Sequence, residues 1–224
     1  MRKIAIVTGA TAGIGRATAE ALARNDFDVI ITGRRLENLE SLEEEIRSKT
    51  DADVLSLAFD IRDQPAVKAA CDQLTGKWEK VDVLVNNAGL AAGMSHIHEG
   101  SLADWEQMID TNIKGLLYIT RIIVPGMVSR QKGHIINIGS IAGKEAYEKG
   151  NVYVATKFGV DGLTQGMRID LVDHGVKVTS IDPGAVETEF SLVRFKGDSD
   201  KADQVYDGYT PLYAEDIAEA ILFA

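Results

Sequence analysis

The segment NVYVATKFGV, Asn151 to Val160, places a phenol and an ammonium four residues apart in a run of small and apolar residues. On a helix that spacing stacks Tyr153 and Lys157 on one face. Their shared chemistry is proton transfer. A free phenol titrates at about 10 and is a poor base at neutral pH, and a cation one helical turn away favours the phenolate. Tyr–Lys pairs also occur on ordinary amphipathic surface helices, so this pair gains meaning only from residues elsewhere that join it.

A second cluster lies at the N-terminus. TGATAGIG, Thr8 to Gly15, follows an apolar run and opens a stretch of helical spacing. Its glycines, Gly9, Gly13 and Gly15, do not match the G-x-G-x-x-G fingerprint. They still let the backbone, with Thr11 and Ile14 beside it, approach a pyrophosphate at a helix N-terminus. A glycine-rich strand-to-helix turn without a ligand is the bland alternative. About 20 residues further on, an NAD site places an acid for the ribose 2′-hydroxyl. This chain reads TGRR there, ending in Arg34 and Arg35. Two guanidiniums suit a 2′-phosphate, whereas the bland reading pairs them with Glu37 or another helix acid. At this one place in an acidic chain, the arginines favour NADP(H).

The elements that must position these groups follow a strict alternation. Apolar β-branched runs read as strands at Lys3 to Gly9, Phe27 to Gly33, Val54 to Asp60, Val81 to Gly89, His134 to Ser140 and Val176 to Gly184. Helical spacing falls between them, at Ile14 to Arg24, Leu36 to Ile46, Pro65 to Trp78, Leu102 to Ser129 and Asn151 to Asp173. Pro125 is expected to kink or end the fourth of these. A polar stretch from Phe190 to Thr210 has weak periodicity, and a last helix begins at Glu215. Such alternation predicts one α/β domain over residues 1–224, a doubly wound Rossmann-type parallel sheet with helices on both faces. A ligand then lies outside the carboxyl ends of the strands, where the Gly, Asn, Ser and Pro-Gly clusters fall.

Composition narrows the possibilities. A net charge of −10 argues against a protein that binds a phosphate backbone, yet leaves room for a local basic pocket. Cys71 is the one cysteine, so intrachain disulfides and thiolate metal clusters are excluded, and a core position on a helix is expected for it. His96, His98, His134 and His174 show no ligand spacing, so no metal is expected. Trp78 and Trp105 read as packing residues. The N-terminal apolar run is too short for a signal peptide and no run approaches a membrane span, so the expected location is cytoplasmic.

Several motifs stand in order along nearly the whole chain: TGATAGIG at 8–15, Asp60 after the third strand, NNAG at 86–89, Asn112 in TNIKG, Ser140, Tyr153-x-x-x-Lys157, and PGAVET at 183–188. Together they resemble the short-chain dehydrogenase/reductase superfamily. NNAGLAAGM, DWEQMIDTNIKGL, GHIINIGS and FSLVRFKGD further resemble its NADP-dependent 3-hydroxy acid dehydrogenases, a group acting on serine, allo-threonine, 3-hydroxypropionate and malonic semialdehyde. The resemblance implies catalytic roles for Tyr153 as general base or acid, Lys157 as its tuner and ribose ligand, Ser140 on the reacting oxygen and Asn112 in a water relay leading to Lys157. Cofactor contacts are implied for Asp60, Asn87, Ala88, Gly89, Pro183, Gly184, Val186 and Thr188. Arg194 and Lys196 lie where relatives cover the substrate, near 190–210, and a 3-hydroxy acid carries a carboxylate that needs a cation. The alternative there is a solvated basic pair on a lid. Relatives continue through a further strand and tail, whereas this sequence stops at Ala224 inside a helix, so six or seven strands are expected. A homotetramer built on the two long helices is also implied.

Two rival functions fit the same residues. One is another short-chain reductase acting on acyl-carrier thioesters or a sugar, which would need a basic docking patch on this acidic chain. The other is an NADP(H)-sensing binding protein without turnover, against which the intact Ser140, Tyr153, Lys157 and Asn112 set argues.

Overall fold

A computed structural model describes residues 2–208 and 210–224. Among them, six strands form one parallel sheet: β1 (Lys3–Thr8), β2 (Phe27–Gly33), β3 (Val54–Ala58), β4 (Val83–Asn86), β5 (Gly133–Ile138) and β6 (Val176–Ile181), in the order β3-β2-β1-β4-β5-β6. The sheet grows outward from β1 in one direction and then from β4 in the other. The reversal between β1 and β4 opens a crevice at their carboxyl ends, where open α/β sheets bind ligands.

Strand alternation builds two cores. Ala5 and Val7 of β1 join Val29 and Ile31 of β2 on one face, where α1 (Gly13–Arg24), α2 (Leu36–Lys49) and α9 (Ala214–Phe223) pack. Ile4, Ile6 and Ile30 point to the other face, onto α3 (Gln64–Cys71), α5 (Leu116–Arg130) and α6 (Asn151–Leu171). Both faces being covered explains why the strands read as continuous apolar runs. Cys71 is buried in the second core, where burial pushes its thiol up to about 11.

The helices between depart from the sequence reading in instructive ways. α3 ends at Cys71, well short of Trp78. Asp63 caps its start through Ala66 N–H at 3.1 Å, Gly76 takes φ +61, and Trp78 falls in a 3₁₀ turn with the Lys77 ammonium over its ring. The long segment from Leu102 is interrupted, but not by Pro125. α4 (Leu102–Ile109) passes into a π-helical turn, Asp110–Gly115, before α5 begins. α5 runs past Pro125 to Arg130 and ends where Gln131 adopts φ +51. The 190–210 stretch contains two short helices, α7 (Glu189–Arg194) and α8 (Ser199–Gln204).

One buried hydroxyl ties the sheet to the crevice. Thr8 Oγ1, fully buried, donates to Val85 O at 3.2 Å and accepts from the backbone N–H groups of Asn87 and Ala88 at 3.0 Å each. Asn87 Nδ2 returns bonds to Thr8 O and Gly9 O at 2.8 and 3.2 Å. The turn after β4 is therefore held by the end of β1. Thr8→Val keeps the shape and strands two donors at a cost of about 1–3 kcal/mol each. Urea denaturation is expected to show a loss of more than about 2 kcal/mol; a loss within measurement error would mean the turn holds itself.

Candidate active site

The crevice is a cleft of about 280 Å³ whose walls come from the carboxyl end of every strand. Gly9, Thr11, Gly13 and Ile14 form its floor, and Arg34, Arg35 and Asp60 close one end. Asn87, Ala88 and Gly89 meet Ser140, Tyr153 and Lys157 in the middle, and Pro183, Gly184, Val186 and Thr188 form the opposite wall.

The glycines are required by contact. Gly9 has φ +67, and a Cβ there would lie 2.9 Å from Ala88 Cα. Gly15 does not line the cleft. A Cβ on it would come within 2.4 Å of both Asn87 Nδ2 and Gly9 O, so its role is the close approach of α1 to the loop. Glycine thus lets the loop pack closely against the turn after β4 and against Thr188, and Gly9 and Gly13 face the cleft at the start of α1, where a helix N-terminus suits a dinucleotide pyrophosphate.

At the far end, Asp60 accepts from the Arg62 guanidinium, with Nη2 2.6 Å from Oδ2 and Nε about equally near both oxygens, at 3.0 and 3.1 Å. Arg62 holds the Asp60 carboxyl below its usual range. Arg62 lines the cleft too and was missed in the sequence, although its place two residues after Asp60 was visible. Arg34 is exposed and makes no ion pair among the described residues. Arg35 pairs with Glu189 at 3.0 Å and not with Glu37.

In the middle, the helical spacing of α6 does stack Tyr153 and Lys157, with the ammonium 5.9 Å from the phenol ring centroid. Lys157 is buried, donates to Ile138 O at 2.9 Å, and has no carboxylate in contact. Burial lowers its pKa to about 8, with Asp182 opposing through space. Tyr153 moves the other way from the expectation of a lowered phenol. Burial raises it to about 12, against the hydrogen bond from Ser140 and the field of Arg194. The phenol is therefore a proton donor at neutral pH in this structure. Ser140 sits just past β5, and its Oγ also accepts from Ala142 N at 3.1 Å.

Asn112 lies behind the cleft wall, within the π-helical turn. Its Oδ1 accepts from Leu90 N at 2.9 Å, while Nδ2 donates to Leu90 O at 2.9 Å and Thr156 Oγ1 at 3.0 Å. The wider turn aims this amide at the NNAG loop, and such bulges recur at functional sites. Both amide protons are committed, and one carbonyl lone pair is left near Lys157, since a Cβ on Gly89 would meet both Asn112 Oδ1 and Lys157 Nζ within 4 Å.

The two candidate substrate cations separate. Lys196 Nζ is 2.9 Å from Asp104 Oδ2, so its charge is spent on α4 and it is not brought to Tyr153. The Arg194 guanidinium lies 5.8 Å from the Tyr153 ring centroid, 5.4 Å from that of Tyr147 and 5.9 Å from that of Phe195. Its Nη2 donates to Tyr147 Oη at 2.9 Å, and among the described residues its Nε is buried without an acceptor and no carboxylate pairs with it. Tyr147, in a loop without periodicity, carried no sequence signal. The four histidines form no metal-ligating group with other residues in the described structure, and no described helix is long and apolar enough to cross a membrane.

The Lys157 environment is directly measurable. In the unliganded protein its ammonium is expected to lose its proton as pH rises through about 8, read from the lysine Cε resonance. A midpoint near the ordinary lysine value would show that water reaches Nζ.

Comparison with known proteins agrees with this geometry. A family model described as short chain dehydrogenase matches residues 3–198. The NADP-dependent 3-hydroxy acid dehydrogenase of Salmonella typhi is 50% identical over 219 residues, covering 97% of this chain and 87% of that protein. The Schizosaccharomyces pombe protein of the same description is 41% identical over 223 residues, 99% of this chain and 86% of the relative. A solved closed form of serine dehydrogenase complexed with NADP+ superposes with a TM-score of 0.93 at 47% identity, covering 98% of this chain and 88% of that one. With its cleft at the β1/β4 reversal and Ser140, Tyr153 and Lys157 gathered in it, the chain belongs to the short-chain dehydrogenase family.

Proposed function

We propose that the protein is an NADP(H)-dependent oxidoreductase that interconverts a small 3-hydroxy acid and its 3-oxo acid or semialdehyde. The observation that carries the substrate class is Arg194, a cation without a carboxylate partner beside the Tyr153 ring. A substrate carboxylate placed on Arg194 would bring the rest of a three-carbon acid toward the phenol. The cofactor assignment is supported by the glycine cradle, by Arg34 and Arg35 in place of an acid, and by the NADP dependence of the similar dehydrogenases.

NADP(H), when bound, supplies or takes up the hydride. In the reducing direction Tyr153, protonated at neutral pH, gives its proton to the carbonyl oxygen. Ser140 hydrogen-bonds that same oxygen and polarises it. The phenolate left behind is stabilised by the charged Lys157 one turn away, whose ammonium is anchored by Ile138 O. In the oxidising direction the proton travels back from the substrate hydroxyl to Tyr153. Asn112 fixes Leu90, in the loop beside Lys157.

Absorbance at 340 nm with L-serine and with malonic semialdehyde tests the reading as a whole. Turnover is expected with NADP(H), and NAD(H) should be about 10- to 150-fold less efficient in kcat/KM, the usual effect of losing a charge-assisted contact. Equal use of the two cofactors would remove the phosphate roles of Arg34 and Arg35. Tyr153→Phe should lower kcat about 10²- to 10⁴-fold while NADP+ affinity stays near wild type; near-normal turnover would take Tyr153 out of the proton path. Arg194→Ala should raise KM for serine strongly and leave an uncharged alcohol of similar size far less affected. The ratio of the two effects cancels general damage to the 190–210 segment, and equal weakening of both substrates would reduce Arg194 to a structural role.

A further inference from the structure

Arg35 is not waiting free for its ligand. Its Nη1 and Nη2 both lie 3.0 Å from Oε2 of Glu189, and Nη2 also donates to Thr11 Oγ1 at 3.0 Å. Arg35 follows β2 and Glu189 opens α7, so the pair joins segments 154 residues apart in sequence. Both residues line the cleft. The ion pair therefore straps one wall to the other over the glycine loop. Both partners are about half exposed, at 47% and 52%, which makes the pair weak and easily exchanged. The neighbouring Arg34 has no such partner.

We infer that Glu189 is a specificity-determining residue, an internal anion that competes with the cofactor's 2′-phosphate for Arg35 and so moderates the preference for NADP(H) over NAD(H). This inference rests on the assignment of NADP(H) as cofactor and of Arg34 and Arg35 as its phosphate ligands. The 2′-phosphate is close to a dianion at neutral pH. Placed beside Arg35 it outbids a monoanionic carboxylate for the guanidinium and repels that carboxylate at the same time. A dinucleotide lacking the phosphate has nothing to exchange, so the strap stays closed around it. Glu189 thus lowers the gain from the phosphate itself, and its release acts on α7. That helix carries Phe190, in edge contact with the Tyr153 ring at 5.7 Å, and Arg194 at its other end. Arrival of the phosphate is thereby linked to the segment that covers the reacting groups.

Glu189→Gln keeps the side-chain shape and removes the charge. Titration calorimetry is expected to show NADP+ bound about two- to fivefold tighter than by wild type, the range of an exposed ion pair, with NAD+ affinity unchanged. In an Arg35→Ala background the same substitution should change nothing, because the competition has lost its object. Unchanged or weaker NADP+ binding by the single variant would overturn the inference. So would an equal gain for NAD+, or a gain that survives without Arg35, since either would mark a general charge effect at the cleft. The two levels fail differently. A wild-type protein that does not prefer NADP+ brings down the cofactor assignment and this inference together. A wild-type preference that Glu189→Gln does not sharpen brings down the inference alone.

Discussion

A buried ammonium without a counter-ion is the constraint around which the active site is arranged. Taking a charge out of water is costly unless polar groups replace the water. Lys157 has one such group in direct reach, the Ile138 carbonyl at the end of β5, and feels Asp182 only at a distance. The lysine consequently gives up its proton more readily than an exposed one, yet is still largely charged at neutral pH. Every element that fixes it is under tight tolerance. A Cβ on Gly143 would come within 2.7 Å of the Lys157 carbonyl, so the turn after β5 can press against α6 only as glycine. A Cβ on Gly139 would fall 1.9 Å from Asp182 Oδ1, so the same turn also limits how near that carboxylate stands. Lys157 has donors to spare beyond its bond to Ile138 O, and neutral hydroxyl acceptors, such as those of a nucleotide ribose, are the kind of group that would take them.

The second constraint is the reach of backbone polar groups in the crevice. Leaving a parallel sheet at its carboxyl end exposes N–H and C=O groups that the next strand no longer pairs. Here short side chains take them over. Thr8 serves Asn87 and Ala88, and Asn112 serves both backbone groups of Leu90. The π-helical turn is the means by which Asn112 reaches that loop from a helix lying on the sheet face. An uninterrupted α-helix would rotate the amide by the extra residue's share of a turn and leave Leu90 unserved.

These arrangements were unequally legible in the sequence. The sheet, its order of elements and the one-domain architecture follow from hydrophobic period, because burial on both faces leaves a continuous apolar signature in each strand. Strand ends were overread. Residues such as Asp60, Gly89, Ser140 and Gly184 continue the runs in composition, yet lie in turns past the ends of the strands, where they line the cleft. Pro125 looked like the break in its helix because proline is a strong local signal, but the actual discontinuity lies in DTNIKG, whose Asp, Thr, Asn and Gly are weak helix formers and a fainter signal than proline. Ion pairs were least legible. Lys196 and Arg194 stand two residues apart and look alike in sequence, and only the fold shows that Asp104 satisfies one and no acid satisfies the other. Glu37 was the near acid for Arg35, but the partner is Glu189, brought across the cleft by the chain's return after β6.

Net charge and local charge separate cleanly in this molecule. The chain carries ten more acids than bases, and most cations are matched at short range. Around the cleft Arg62 is held by Asp60, Lys196 by Asp104, and Lys144 by Asp161 and Asp182. Among the described residues, Arg34 in the cleft and Arg194 in a smaller pocket on the other side of Tyr153 are left without a carboxylate. Screening over roughly 8–10 Å at physiological salt confines the influence of the distant acids, so a ligand inside the cleft responds to the unmatched guanidiniums and not to the overall sign. The same distribution penalises large polyanions, which would meet the acidic exterior before reaching either arginine. An anionic group brought to Arg34 therefore meets an uncompensated guanidinium whatever the overall sign of the chain.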